Sequence, residues 1–270
     1  GKMIERIEGV LLSPRTRYIF AGISILLMLF LLAVAVYTGV KIHEADKMRM
    51  EENDFSDTPP SEFQSKRVAS TFPGWIKAIV FQFDLDEENN FATWFSATLF
   101  LFVAYLAFKI WQNLGREQKL LRICWLLIVF GIFVLFVEEV FAIHEFVGSN
   151  LPESEEKIEV GVFSWFEKSR WVLIYLVPFL CAAAFLIVVF VVTFKGRGRS
   201  VWLSVAGVMF WVNVLVLESL MSSVPRHLIR AEIFIEESFE LAGMLCLMFA
   251  FSGWLDKQLT NRNKYRQIVD

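Results

Sequence analysis

Six stretches of this sequence are too long and too apolar to be buried inside a soluble domain. They fall at about 18–40, 91–111, 123–147, 170–194, 201–222 and 231–255. An apolar helix of about 20 residues crosses the roughly 30 Å hydrocarbon core of a bilayer. Inside lipid the backbone must satisfy its own hydrogen bonds, which leaves helices as the spanning element for runs of this kind. Composition agrees: 56% of residues are hydrophobic, 16% are aromatic, and mean hydropathy is +0.52. The expected fold is an all-α polytopic membrane helix bundle with six transmembrane helices and both termini inside.

The segments between the runs complete the plan. Residues 1–17 read as a cytoplasmic interfacial lead, with Met3, Ile4, Ile7, Val10 and Leu11 on a rough apolar face and basic residues around it. The first run is longer than a signal-peptide core and reads as an anchor. Residues 41–90 form an outer loop whose FPGWIKAIVFQF segment (72–83) is too short to span and reads as re-entrant or interfacial. Residues 18–255 are the transmembrane domain, and residues 256–270 a cytoplasmic tail.

Orientation follows from charge. With the N-terminus inside, the inner segments, together with Lys109 at the inner end of the second run, hold 15 of the 26 Lys and Arg but only 5 of the 29 acids. The basic residues crowd into the short turns 112–122 and 195–200, as the positive-inside rule requires. The turn Lys195-Gly-Arg-Gly-Arg199 is an orientation signal first and an anionic-lipid site second.

The acids are not confined to loops. Glu138 and Glu139 lie near the end of the third run, followed by His144 and Glu145; Glu218 lies in the fifth; Glu236, Glu237 and Glu240 lie near the start of the sixth. At 1.5 Å per residue, Glu139, Glu218, Glu237 and Glu240 each sit roughly 21–26 Å from the inner ends of their helices. One layer near the outer surface would hold them all. Glu240 is four residues from Glu236 and three from Glu237, so it shares a helical face with each. Glu138 and Glu145 are seven apart and also share a face.

Carboxylates in a membrane need a partner, a proton, a metal or a water-filled cavity. Glu and His converging from several helices resemble di-metal bundles, in which such residues hold two hard cations. That reading gives a divalent or di-metal centre of Fe, Mn or Zn, with Glu139, His144, Glu218, Glu236, Glu237 and Glu240 as ligands. The strict Glu-x-x-His is absent, because Phe141 stands three residues before His144. Two other readings stay open: a proton- or cation-coupled transport element using the same acids, and a non-catalytic subunit of a larger membrane assembly in which they form a structural network. Asp86, Glu88 and Asn90 alternate before the second run. Helix capping explains them better than a calcium loop, since the turn Gly and distal Glu are missing.

The sequence holds no CxxC, P-loop or GxGxxG pattern, so the common nucleotide and zinc signatures are absent. The expected partners are the bilayer and other membrane subunits, with no nucleic acid. Cys124, Cys181 and Cys246 lie within apolar runs and read as small buried hydrophobes. No serine near the layer is paired with a histidine by a nucleophile motif.

Residues 86–96 (DEENNFATWFS) resemble a D-x-E-x-N-x-P-T-W-F-S pattern of an uncharacterised family of bacterial multi-spanning inner-membrane proteins. The same family resemblance extends to the acid–Glu pair followed by His-Glu (Glu138, Glu139, His144, Glu145), the lone Glu218, and Glu236-Glu237-x-x-Glu240-x-x-Gly243. It covers roughly residues 83–255. Ala92 replaces the Pro, and Glu138 stands where the pattern has Asp; neither change removes a carboxylate. The resemblance implies a bacterial inner-membrane location and supports the acidic site. It implies no reaction.

Overall fold

A computed structural model describes residues 13, 15–16, 18–30, 32–33, 91–141, 143, 170–220 and 229–269. The described residues form helices and no strands. α1 is Tyr18–Phe30, α2 Phe91–Asn113, α3 Lys119–Phe141, α4 Arg170–Thr193, α5 Gly198–Leu220 and α6 Ile229–Val269.

Four of these helices contain segments long and apolar enough to cross a membrane: Thr93–Asn113, Lys119–Phe141, Leu176–Thr193 and Gly198–Leu217. The outward side of α3 shows what surrounds it. Ile123, Leu126, Leu127, Phe130, Phe133 and Val134 are exposed, while Trp125, Ile128 and Ile132 are buried on the opposite face. A helix this apolar on both faces is stable where its outer face meets lipid. The chain is therefore built as a lipid-embedded, multi-pass protein.

α2 and α6 make the interior. On α2, Leu99, Val103, Leu106 and Ile110 are almost wholly buried at three- and four-residue spacing, the stripe a core-facing helix presents. α6 packs most extensively on α5 and also on α2; α3 lies against α2, and α4 against α5. α1 leans on this core through Phe20, stacked on Phe102 of α2 at 5.2 Å, and Tyr18, tilted against Phe249 of α6 at 6.2 Å.

An aromatic knot ties three helices at one end of the bundle. The Trp125 ring of α3 lies 5.1 Å from Phe251 of α6, with Phe190 and Phe194 of α4 at 5.8 and 5.9 Å. Its Nε1–H donates to Thr193 Oγ1 at 2.9 Å, and the Thr193 hydroxyl donates to the Val189 carbonyl. Buried hydroxyls elsewhere are satisfied within their own helices: Ser24 donates to the Phe20 carbonyl, Ser204 to Ser200 and Ser252 to Met248. This is how small polar residues are accommodated in apolar surroundings.

The turns at that end are short and basic. Arg122 donates to the Leu114 carbonyl and sits 4.7 Å over the Trp111 ring. Between α4 and α5, Gly196 takes a left-handed φ of 79°, which costs a glycine little and reverses the chain at once. The helix resumes at Gly198, so Arg199 belongs to α5 and not to the turn.

α6 runs past its apolar stretch. Its 41 residues measure about 60 Å, twice the hydrocarbon thickness of about 30 Å. The segment set off as a tail from residue 256 continues the helix to Val269. That stretch contains no Gly or Pro to stop it.

Candidate functional site

At the end of the bundle opposite the basic turns, α3 finishes with Glu138 and Glu139 and α6 begins with Glu236, Glu237 and Glu240. All five are partly buried. Glu139 lies within electrostatic reach of Glu237 and Glu138, and Glu240 within reach of Glu139, Glu237, Glu236 and Glu138. α3 and α6 enter this region from opposite ends of the chain's path through the bundle. Equal distance from the basic end is what brings Glu139 level with Glu240.

Beside the acids, Glu237 lines a small cavity of about 10 Å³ with Leu27 and Met28 of α1, Ser96 of α2 and Ser238. That is room for about one water. Ser96 is itself buried. The carboxylates thus have hydroxyl neighbours from two helices.

One turn deeper the chemistry changes abruptly. Leu135, four residues before Glu139, and Met244, four after Glu240, line an apolar cavity of about 280 Å³ between α3, α4, α5 and α6. Val208 and Trp211 of α5 and Ala183 of α4 complete part of its wall. Its lining is almost wholly apolar, and Leu127 and Phe185 are exposed at its open side. It forms a floor beneath the acidic layer.

A close helix crossing adjoins the layer. A Cβ on Gly243 would fall 2.5 Å from Trp211 Cδ1 and 3.1 Å from the Gly207 carbonyl oxygen; a Cβ on Gly207 would fall 2.9 Å from the Gly243 carbonyl oxygen. Only glycine at both points lets α5 and α6 approach this closely. Gly243 is one turn from Glu240, so this crossing lies next to the acidic layer.

The sequence model of a domain of unknown function, DUF8692, matches residues 63–255, more than half the chain. The chain belongs to the DUF8692 family. No curated protein and no solved structure matches it. The DUF8692 match spans α2 to α5 and α6 as far as Leu255, so both sources of the acidic layer lie inside the domain.

Of the residues singled out in the sequence, the DUF8692 domain brings Glu138, Glu139, Glu236, Glu237 and Glu240 together. Glu218 lies on α5 near its end, with its side chain outside the described residues. His144, Glu145, Asp86, Glu88 and Asn90 also lie outside them, as does the 72–83 segment. Among the described residues, no group of three His, Cys, Asp or Glu side chains is arranged to hold a metal ion.

Sequence reasoning missed Trp211. Its Nε1–H is buried and has no hydrogen-bond partner among the described residues, while its ring meets Phe100 of α2 edge-on at 5.5 Å. The available signal was its position mid-span, away from both interfaces where tryptophan usually collects.

Proposed function

We propose that this DUF8692 chain is a bacterial inner-membrane protein with six spans and both termini inside, in which Glu139, Glu237 and Glu240 bind exchangeable protons or a cation near the outer surface. The observation that carries this reading is the convergence of Glu139 from α3 with Glu237 and Glu240 from α6. Ionised carboxylates do not share an apolar layer without a proton, a cation or water between them. The charge distribution of the turns supports the orientation, and the sequence pattern around residues 86–96 supports the bacterial membrane.

A di-metal centre has less support. His144 and the Glu218 side chain would have to join the acids, and the five acids alone do not form a ligand set among the described residues. The experiment is flux in proteoliposomes under an imposed proton or monovalent-cation gradient, alongside elemental analysis of the purified protein. Gradient-dependent flux that is lost in Glu240→Gln supports the reading. Flux indifferent to that substitution sinks it, and stoichiometric Fe, Mn or Zn would replace it with the metal centre.

A further inference from the structure

We infer that the cavity at the basic end of the bundle, between α1, the α4–α5 turn and α6, binds the phosphate headgroup of an anionic phospholipid. The cavity measures about 570 Å³ and is lined by Tyr18 of α1, Gly196 and Arg197 of the turn, Gly198, Arg199, Ser200 and Leu203 of α5, and Phe249, Gly253 and Lys257 of α6. It draws three cations from two separate parts of the chain and contains no acid. Asp256, the neighbouring acid on α6, does not line it.

Each component has a place in holding a lipid phosphate. Arg197 is held rigidly: its Nη1 donates to the Trp254 carbonyl at 2.8 Å and its guanidinium lies 5.3 Å over the Trp254 ring. Burial pulls its pKa down from the ordinary guanidinium value, and no carboxylate among the described residues offsets that. A guanidinium keeps its charge in any case, and an anion would compensate its burial. Arg199 and Lys257 are exposed on either side of the opening, free to close on a phosphate from two directions. The first turn of α5 begins in the cavity wall, and its leading N–H groups have no acceptor within the helix.

The rest of the wall chooses a lipid over a free anion. Leu203 and Phe249 are half-buried apolar residues below the cations, and the Tyr18 ring leans on Phe249. They offer an apolar surface that continues toward the membrane segments of α5 and α6, where acyl chains would lie. A small inorganic anion has no use for that surface. The site is remote from the carboxylate layer and does not depend on the function proposed for it.

The test uses the full chain in phosphatidylcholine nanodiscs, titrated with phosphatidylglycerol, with binding read by native mass spectrometry and by thermal shift. The expected result is a phosphatidylglycerol complex that phosphatidylcholine does not displace at equal concentration. Removing one Lys or Arg from near a lipid surface weakens anionic-lipid binding by about fivefold. Arg199→Gln with Lys257→Gln should therefore lower phosphatidylglycerol affinity by about 25-fold. Arg116→Gln with Lys119→Gln removes the same charge from the other basic turn and should leave affinity within about twofold. Lys257→Gln alone, at an exposed position, reads the same contrast at about fivefold if the double variant folds poorly. Equal losses in the two double variants would overturn the site and leave only diffuse attraction to the surface. Equal binding of phosphatidylcholine, or inorganic phosphate binding as tightly as the lipid, would also overturn it.

Discussion

Gly207 of α5 and Gly243 of α6 face each other across a close helix crossing. A side chain on either would strike the carbonyl oxygen of the other. The contact serves packing, and it lies one turn from Glu240. Gly243→Ala should therefore destabilise the protein by about 1–3 kcal/mol, the usual cost of overpacking, because its methyl would meet the Trp211 ring. The measurement is the melting temperature in a zwitterionic detergent. Gly131→Ala, where a Cβ meets nothing within 4 Å, is the matched control and should change little.

Two tryptophans on different helices should respond differently to the same substitution. Trp125 is fully buried and donates to Thr193; Trp211 donates to nothing among the described residues. Trp125→Phe breaks a hydrogen bond within the aromatic knot and should cost about 1–3 kcal/mol. Trp211→Phe removes an unsatisfied buried donor whose cost is itself about 1–3 kcal/mol. That gain offsets the lost ring area, so stability should stay close to that of the parent. Thermal unfolding of both variants, run side by side, checks the contrast; equal losses would mean that Trp211 is paired in the membrane.

The convergence of α3 and α6 is open to a double-mutant cycle. Glu139→Gln and Glu240→Gln each remove one carboxyl from a group that shares protons or a cation. The effect of either should depend on whether the other carboxyl is present. The expected coupling is about 0.5–3 kcal/mol, the range for residues in one network. Strictly additive effects on unfolding would show that the two side chains do not sense each other.

Arg197→Lys probes how the basic end is held. Lysine keeps the charge but loses the planar group that lies over Trp254 while bonding its carbonyl. The loss should be about 0.5–2 kcal/mol, typical of a cation–π contact between exposed and desolvated. Differential melting of the variant against Arg197→Gln separates charge from geometry: near-equal melting points would assign the role to the planar fork.

The helices and their lipid-facing character were legible in the sequence because both follow from local apolar length. α2 and α5 start and end within three residues of their expected limits for this reason. The partners of Gly243 at the close approach, Gly207 and Trp211, were not legible, because nothing in α5 announces which of its residues face α6. The tail from residue 256 was set off by its polar composition, and its helical form to Val269 agrees with the lack of a stop signal there.

Periodicity and helical rise, read from the sequence, determined that Glu139, Glu237 and Glu240 lie at one depth and that Glu237 and Glu240 share a face. Depth is a one-dimensional quantity, and it cannot say which helices are neighbours. Only the tertiary packing decided that Glu139 comes within reach of Glu240, that an apolar cavity lies one turn beneath them, and that Arg197, Arg199 and Lys257 line one opening. Side chains far apart in the chain meet according to how helices rotate and cross. That is set by the fit of surfaces such as Gly207 on Gly243, not by the pattern of any one segment.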